Sequence, residues 1–216
     1  MDQNELQNMR HDYSAAELTE ESTKGDPIKQ FEKWFNEAVE SQQYEPNAMT
    51  LSTATYDGRP SGRIVLLKGF DANGFMFYTN YLSRKGKEIT KNPLGALTFL
   101  WGTLERQVRI EGTIEKLSKE QSEKYFHSRP RKSQMGAAIS PQSQEIPGRD
   151  ILEKKWAELE AEYGDDKEIP KPSFWGGYIL KPRLVEFWQG RRSRLHDRIL
   201  YKKIDNKNWK KVRLAP

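Results

Sequence analysis

The stretch FWQGRRSRLHDR, residues 187–198, sets Arg194, His196 and Arg198 within five positions, with Asp197 among them and Arg191 and Arg192 just upstream. Cations gathered round one histidine suit a ligand that is, or becomes, negatively charged. A second group lies in YTNYLSRKGK, where Ser83 can cap a helix whose first turn then carries Arg84 and Lys85. Cations at a helix N-terminus oppose the helix dipole. An anion held there relieves that cost, because free backbone N–H groups, hydroxyls and cationic side chains converge on it. A phosphate is the natural candidate. A third group, KYFHSRPRKS, offers Tyr125, Arg129, Arg131 and Ser133 beside a helix end. Gln107 in ERQVRIEG, Gln142 and Ser143 in SPQSQ, and Trp188 in EFWQG add neutral hydrogen-bonding groups and a flat ring. Together they suggest two phosphorylated, planar ligands held side by side.

The elements that must position these groups follow from periodicity. In GDPIKQFEKWFNEAVESQQ, Asp26 reads as an N-cap with Pro27 at the first helical position, and Ile28, Phe31, Phe35 and Ala38 recur at helical spacing. From residue 48 the pattern becomes short β-rich runs, AMTLSTATY, GRIVLLKGF and GFMFYTN, broken by the turn sequences DGRP and DANG. LGALTFLW, ERQVRIEGTIEKL, GGYILKP, RLVEFWQ, RLHDRILYKKI and WKKVRLAP extend this meander. Short helices are predicted over 83–93 and 118–128. A longer one over RDILEKKWAELEAEYG sets Leu152, Trp156, Leu159 and Tyr163 on one face, with Gly164 as its stop. Many short antiparallel strands with peripheral helices predict a mainly β fold, a small closed or split β-barrel. If the strand after Gly190 begins at Arg194, two-residue alternation puts Arg194, His196 and Arg198 on one side and turns Asp197 away to pair elsewhere.

Composition narrows the chemistry. The chain has 216 residues, which suits one domain: a polar, acidic arm over 1–25 without sustained period, predicted to be flexible, and a globular domain over 26–216. Lys+Arg of 36 against Asp+Glu of 31 gives +5, an excess that favours anionic ligands and fits poorly with a nucleic-acid binder. Without cysteine there is no disulfide or thiolate nucleophile, and three dispersed histidines argue against a zinc site; no metal is expected. No apolar run reaches membrane length, and the first thirty residues are too charged for a signal peptide, so a soluble cytoplasmic protein is expected. Neither a GxGxxG nor a GxxxxGK[ST] string occurs.

The strings RIVLLK, YTNYLSRKG, ERQVRIEG, YFHSRPRKS, PQSQ, WGGY, EFWQGRRSRLHDR and the terminal RLAP, in this order, resemble the pyridoxine 5′-phosphate oxidase family, from about Arg10 to Pro216. The resemblance implies an FMN-binding split β-barrel, a homodimer with FMN at the subunit interface, and oxidation of pyridoxine or pyridoxamine 5′-phosphate by O2 to pyridoxal 5′-phosphate. By the same resemblance the cofactor would meet Arg63, Ile64, Val65, Leu66, Leu67, Lys68, Tyr78, Thr79, Arg84, Lys85, Gln107, Gln142, Ser143, Trp188 and Arg198. The substrate would meet Lys68, Tyr125, Arg129 and Ser133 at its phosphate and Arg194, Leu195 and His196 at its ring. Arg194 and His196 would be the catalytic pair, with His196 either taking a proton or only orienting the substrate. Arg10 and Tyr13 would belong to an arm that closes over the site. Arg191 and Arg192 stay outside this set. A split-barrel flavin reductase using a nicotinamide, or a non-catalytic flavin or vitamin B6 carrier, is the alternative on the same fold.

Overall fold

The computed structural model describes residues 2–9 and 12–216. After a short helix α1 (Gln3–Asn8), helix α2 (Pro27–Glu40) begins where the sequence puts it: the Asp26 carboxylate accepts the Ile28 amide and Pro27 stands at the first position. The strands are β1 (Ala48–Ala54), β2 (Pro60–Leu66), β3 (Gly69–Asp71), β4 (Gly74–Asn80), β5 (Leu94–Trp101), β6 (Arg106–Lys116), β7 (Trp175–Gln189), β8 (Asp197–Lys203) and β9 (Trp209–Leu214). They join in the order β2-β1-β5-β6-β7-β4-β3, with β8 added to β7 and β9 to β8. Helices α3 (Arg84–Lys91), α4 (Lys119–Ser128), α5 (Arg131–Ile139) and α6 (Asp150–Tyr163) fill the connections. Among the described residues no helix is long and apolar enough to cross a membrane.

The chain divides into two compact units. One gathers Met1–Thr50, Ala96–Glu111 and Pro182–Pro216; the other gathers Leu51–Gly95 and Gly112–Lys181. In the first, the apolar stripe of α2 packs Phe31 on Phe99 (5.1 Å between ring centres) and Trp34 edge-on to Phe187 (5.2 Å), all four buried. Each such ring contributes about 2–3 kcal/mol by leaving water. Residues 13–24 are sewn to the same unit. The Ala15 and Leu18 amides donate to Glu105 and Asp197, and the Tyr201 hydroxyl donates to the Lys24 carbonyl.

In the second unit β4 pairs antiparallel with the first half of β7, from Phe75 opposite Leu180 to Asn80 opposite Trp175. Phe126 of α4, Met135 of α5, Ile169 and Trp175 form one of its buried clusters, and Trp156, Leu159 and Tyr163 of α6 pack on them as their spacing predicts. The DANG turn closes β3 onto β4. Gly74 there has φ +147°, and a Cβ would lie 2.1 Å from the Leu180 carbonyl oxygen.

Three boundaries differ from the sequence reading. GRIVLLKGF is two strands, divided at Leu67–Lys68. GGYILKP and RLVEFWQ are one strand, because Pro182 falls between the stretch paired with β4, ending at Leu180, and the stretch paired with β8, starting at Leu184. And β8 starts at Asp197, since Ser193 and Arg194 take left-handed backbone angles (φ 55° and 61°). Arg194 and His196 precede the strand, so the alternation argument for them does not hold.

Candidate active site

The second unit encloses a cavity of about 570 Å³. Its floor comes from β2, which presents Arg63, Ile64, Val65 and Leu66 with Lys68 beyond, and from Tyr78, Thr79 and Asn80 at the end of β4. Ser83 caps α3 by accepting the Gly86 amide, which places Lys85 in the first turn. Gly86 is required: a Cβ would meet the Tyr81 carbonyl oxygen at 2.2 Å. The buried Lys85 ammonium donates to Gln142 (3.1 Å), Thr79 (3.3 Å) and Ser83 (3.4 Å), three neutral oxygens and no carboxylate. Burial first, and the charge of Arg63 second, pull its pKa below the usual lysine range.

Tyr78 also stacks on Tyr125 at 3.8 Å, and Trp175 lies nearly parallel to both. The Arg129 guanidinium sits over Trp175 at 4.6 Å. Its Nη1 is buried with no hydrogen-bond partner, and burial lowers its pKa. A buried guanidinium nitrogen left unpaired costs free energy that an incoming anion recovers. The cavity therefore suits a flat ligand with anionic groups: aromatic and aliphatic walls, hydroxyl and amide hydrogen-bonding groups, and, at Lys85, Arg129 and the exposed Lys68, cations that form no salt bridge among the described residues.

Arg63 is satisfied differently. It donates to the Leu51 carbonyl (2.9 Å), Thr53 (2.6 Å), Ser61 (2.5 Å) and, at 3.3 Å, to the buried carboxylate of Glu88. Arg84 donates to the other oxygen of Glu88 at 2.9 Å with its side chain 66% exposed, and it does not line the cavity. Leu67 is buried in the core. Ser133 stands in the first turn of α5, and Ser143 at φ 68° in the exposed loop after Gln142; neither lines the cavity. Asn80, Ala137, Ser140 and Trp175 line it without having been singled out. Asn80, Ser140 and Trp175 fall within the strings YTNYLSRKG, SPQSQ and WGGY; Ala137 falls in none.

The first unit holds a separate cavity of about 770 Å³, lined by Met9, Asp12, Tyr13, Arg191, Ser193, Arg194 and His196. Tyr13 packs edge-on against Trp188 and His196 (5.6 Å each), and Trp188 lies 4.7 Å from His196. The ring is also held by hydrogen bonding: the Arg191 amide N–H donates to His196 Nδ1 at 3.1 Å. A backbone amide can only donate, so the neutral imidazole carries its proton on Nε2. Arg194 is exposed, and among the described residues no acid pairs with it. Leu195 is 70% exposed and lines a neighbouring cleft. Arg191 proves to be more than a surface charge, pairing with Glu17 at 2.5 Å. Asp197 faces Arg213 at 2.7 Å. Arg198 donates to the buried Glu186 (2.8 Å) and to the Ala215 carbonyl (2.9 Å), and the Glu186 bond raises its pKa. Gln107 is half-buried on β6. Arg10 lies outside the described residues.

Comparison with known proteins follows the same lines. Residues 35–163 match the family profile described as pyridoxamine 5′-phosphate oxidase, and residues 175–216 the one described as the pyridoxine 5′-phosphate oxidase C-terminal dimerisation region. The chain is 56% identical over 212 residues to the pyridoxine/pyridoxamine 5′-phosphate oxidase of Salinibacter ruber, covering 98% of this chain and 99% of that one. It is 53% identical to that of Rubrobacter xylanophilus over 98% and 97%. Among solved structures, PhzG from Burkholderia lata in complex with tetrahydrophenazine-1-carboxylic acid matches at TM-score 0.86 and 30% identity, covering 94% of this chain and all of that one. A pyridoxamine 5′-phosphate oxidase-related, FMN binding protein from Nostoc punctiforme shares the fold at TM-score 0.70 and 19% identity over 88% and 98%.

Proposed function

The chain belongs to the pyridoxamine 5′-phosphate oxidase family, and on that footing we propose that it is an FMN-dependent oxidase acting as a cytoplasmic homodimer. Pyridoxine 5′-phosphate and O2 give pyridoxal 5′-phosphate and H2O2; pyridoxamine 5′-phosphate, O2 and water give the same products with ammonia. The observation that carries this reading is the aromatic-walled cavity in which, among the described residues, neither the buried Lys85 nor the half-buried Arg129 forms a salt bridge with a carboxylate. Such a site fits a phosphate ester on a flat ring system.

The chemistry FMN supplies when bound is acceptance of a hydride from the substrate 4′ carbon and return of the electrons to O2. The chain's residues bind and orient. Lys85, Arg63 and Arg84, with Thr79 and Ser143, hold the cofactor phosphate, and Ile64, Val65, Leu66, Lys68 and Tyr78 line its ring, with Leu67 packed behind them in the core. Gln107, Gln142, Trp188 and Arg198 complete that site from the two copies of the chain. Arg198, kept charged by Glu186, offsets negative charge that grows during the reaction.

Lys68, Tyr125, Arg129 and Ser133 take the substrate phosphate. Arg194, with Leu195, covers the pyridine ring and keeps its charge throughout. His196 donates Nε2–H to the substrate's ring oxygen and takes no proton from it, because Nδ1 is occupied by the Arg191 amide. Arg10 and Tyr13 close the arm over the substrate; Tyr13 rests on Trp188 and His196.

Purified protein is expected to stay yellow through dialysis and to consume O2 when given pyridoxine 5′-phosphate. Flavin reduction by NADPH with no O2 uptake on that substrate would make it a reductase instead, and bound flavin without either reaction a carrier.

A further inference from the structure

Glu88 is a buried carboxylate that none of these steps uses. Its side chain is 5% exposed and accepts from Thr53 (2.5 Å), Ser61 (2.6 Å), Arg84 (2.9 Å) and Arg63 (3.3 Å). Burial pushes its pKa up, but the bonds from Ser61, Thr53 and Arg84 and the charge of Arg63 outweigh that and hold it at about 2. Three cations, Arg63 of β2 and Arg84 and Lys85 of α3, thus stand close in space to one carboxylate. Among the described residues it is the only acid paired with either arginine.

Two roles are open to such a group, aiming the arginines or balancing their charge. The bond lengths decide between them. Arg63 makes three shorter hydrogen bonds to neutral groups, the Leu51 carbonyl, Thr53 and Ser61, and its Glu88 contact is the longest of the four. A glutamine in place of Glu88 keeps the shape and one oxygen for Arg84, removes the charge and sets an amide NH2 where Oε2 now accepts from Thr53, Ser61 and Arg63, while the bonds of Arg63 to Leu51, Thr53 and Ser61 do not pass through it. Arg63 therefore stays aimed without the carboxylate.

We infer that Glu88 is a built-in counter-ion: it holds Arg63 and Arg84 together while no phosphate ester is bound, and by cancelling one positive charge it limits how tightly the cofactor phosphate is held. The cofactor part of this rests on the FMN reading above; the counter-ion part does not.

The test uses full-length, cofactor-stripped protein carrying Glu88→Gln. Its melting temperature is expected to fall below that of the wild type, and millimolar inorganic phosphate to raise it by more than it raises the wild type. The Kd for FMN is expected to tighten by about ten-fold, the effect of one unit charge a few ångströms away in a partly screened site, with the Kd for riboflavin, which lacks the phosphate, within two-fold of wild type. Weaker FMN binding, an equal change for riboflavin, or phosphate protection no greater than wild type overturns the inference. A wild type that takes up no FMN sinks the functional reading, and the phosphate melts then still decide the role of Glu88. Should E88Q fail to fold, Arg84→Gln with Glu88→Gln restores the charge balance; recovery of a folded protein melting near wild type supports the counter-ion, and no recovery overturns it.

Discussion

Two regions of this molecule are rich in cations, and they treat them in opposite ways. Around β8 and β9 three arginines are matched: Arg198 with Glu186, Arg213 with Glu20 and Asp197, Arg191 with Glu17. In the cavity beside β2 and α3, Lys85 bonds only neutral oxygens and Arg129 leaves a buried nitrogen unpaired. Matched charges hold the fold together. Unmatched buried ones cost stability in the free protein, and they persist where a ligand supplies the missing charge. Arg194 sits between these cases, unpaired but exposed, in a loop with two consecutive left-handed residues.

The strongest way to break the contrast is to remove the unmatched cations. Arg129→Ala is expected to lower kcat/KM for pyridoxine 5′-phosphate by roughly a hundred-fold or more, the size of a buried charge-assisted contact. Lys68→Ala, at an exposed position, loses less. Steady-state O2 uptake with phosphorylated and unphosphorylated pyridoxine checks the assignment: both variants must lose preference for the phosphate. If the ratio stays at the wild-type value, neither residue reads that group. Next come Lys85→Ala and Arg194→Ala. The first is expected to weaken FMN binding by about ten- to hundred-fold; the second to keep FMN and lose turnover by a similar factor. Equal FMN affinities in the two variants would contradict that division.

A smaller effect separates the two roles open to His196. Glutamine places an N–H donor near the position of Nε2, whereas asparagine is too short to do so. His196→Gln is expected to retain within about ten-fold of wild-type kcat and His196→Asn to fall further. Equal loss in both, with a rate that drops in step with loss of a titrating group, would restore the proton-acceptor role.

Much of this was legible in the sequence because it depends on local signals. Caps at Asp26 and Ser83, the Leu152, Trp156, Leu159 and Tyr163 face and the DANG turn depend on near neighbours, and the corresponding elements form where predicted. The cations of the cavity could be named from their clustering. What could not be read is who neutralises whom. Glu88 looks like any exposed helix acid until Thr53, Ser61 and Arg63 from β1 and β2 close on it. The His196 tautomer depends on a bond to Arg191 that no periodicity encodes, and the left-handed turn at Ser193 and Arg194 is made without glycine, so the strand boundary was misplaced.

The least expected change belongs to the matched region, where acid should undo the pairing. Glu20 is held at about 2 against an ordinary 4.5, first by hydrogen bonding with Arg213. Its pKa is lower folded than unfolded, so the stabilisation is fully present above pH 4.5 and drains away as pH falls towards about 2. The clamp is solvent-exposed, so the loss is modest and salt-sensitive. Glu20→Gln is therefore expected to melt slightly below wild type at pH 7, with the gap closing steadily between pH 4.5 and 2 in thermal melts at low ionic strength. A gap independent of pH would mean that Glu20 acts through packing and not through its charge. The arm residues it joins to Arg213 would then be held chiefly by the bonds that the Leu18 and Lys24 carbonyls accept from Arg213 and Tyr201, which no change of pH in this range removes.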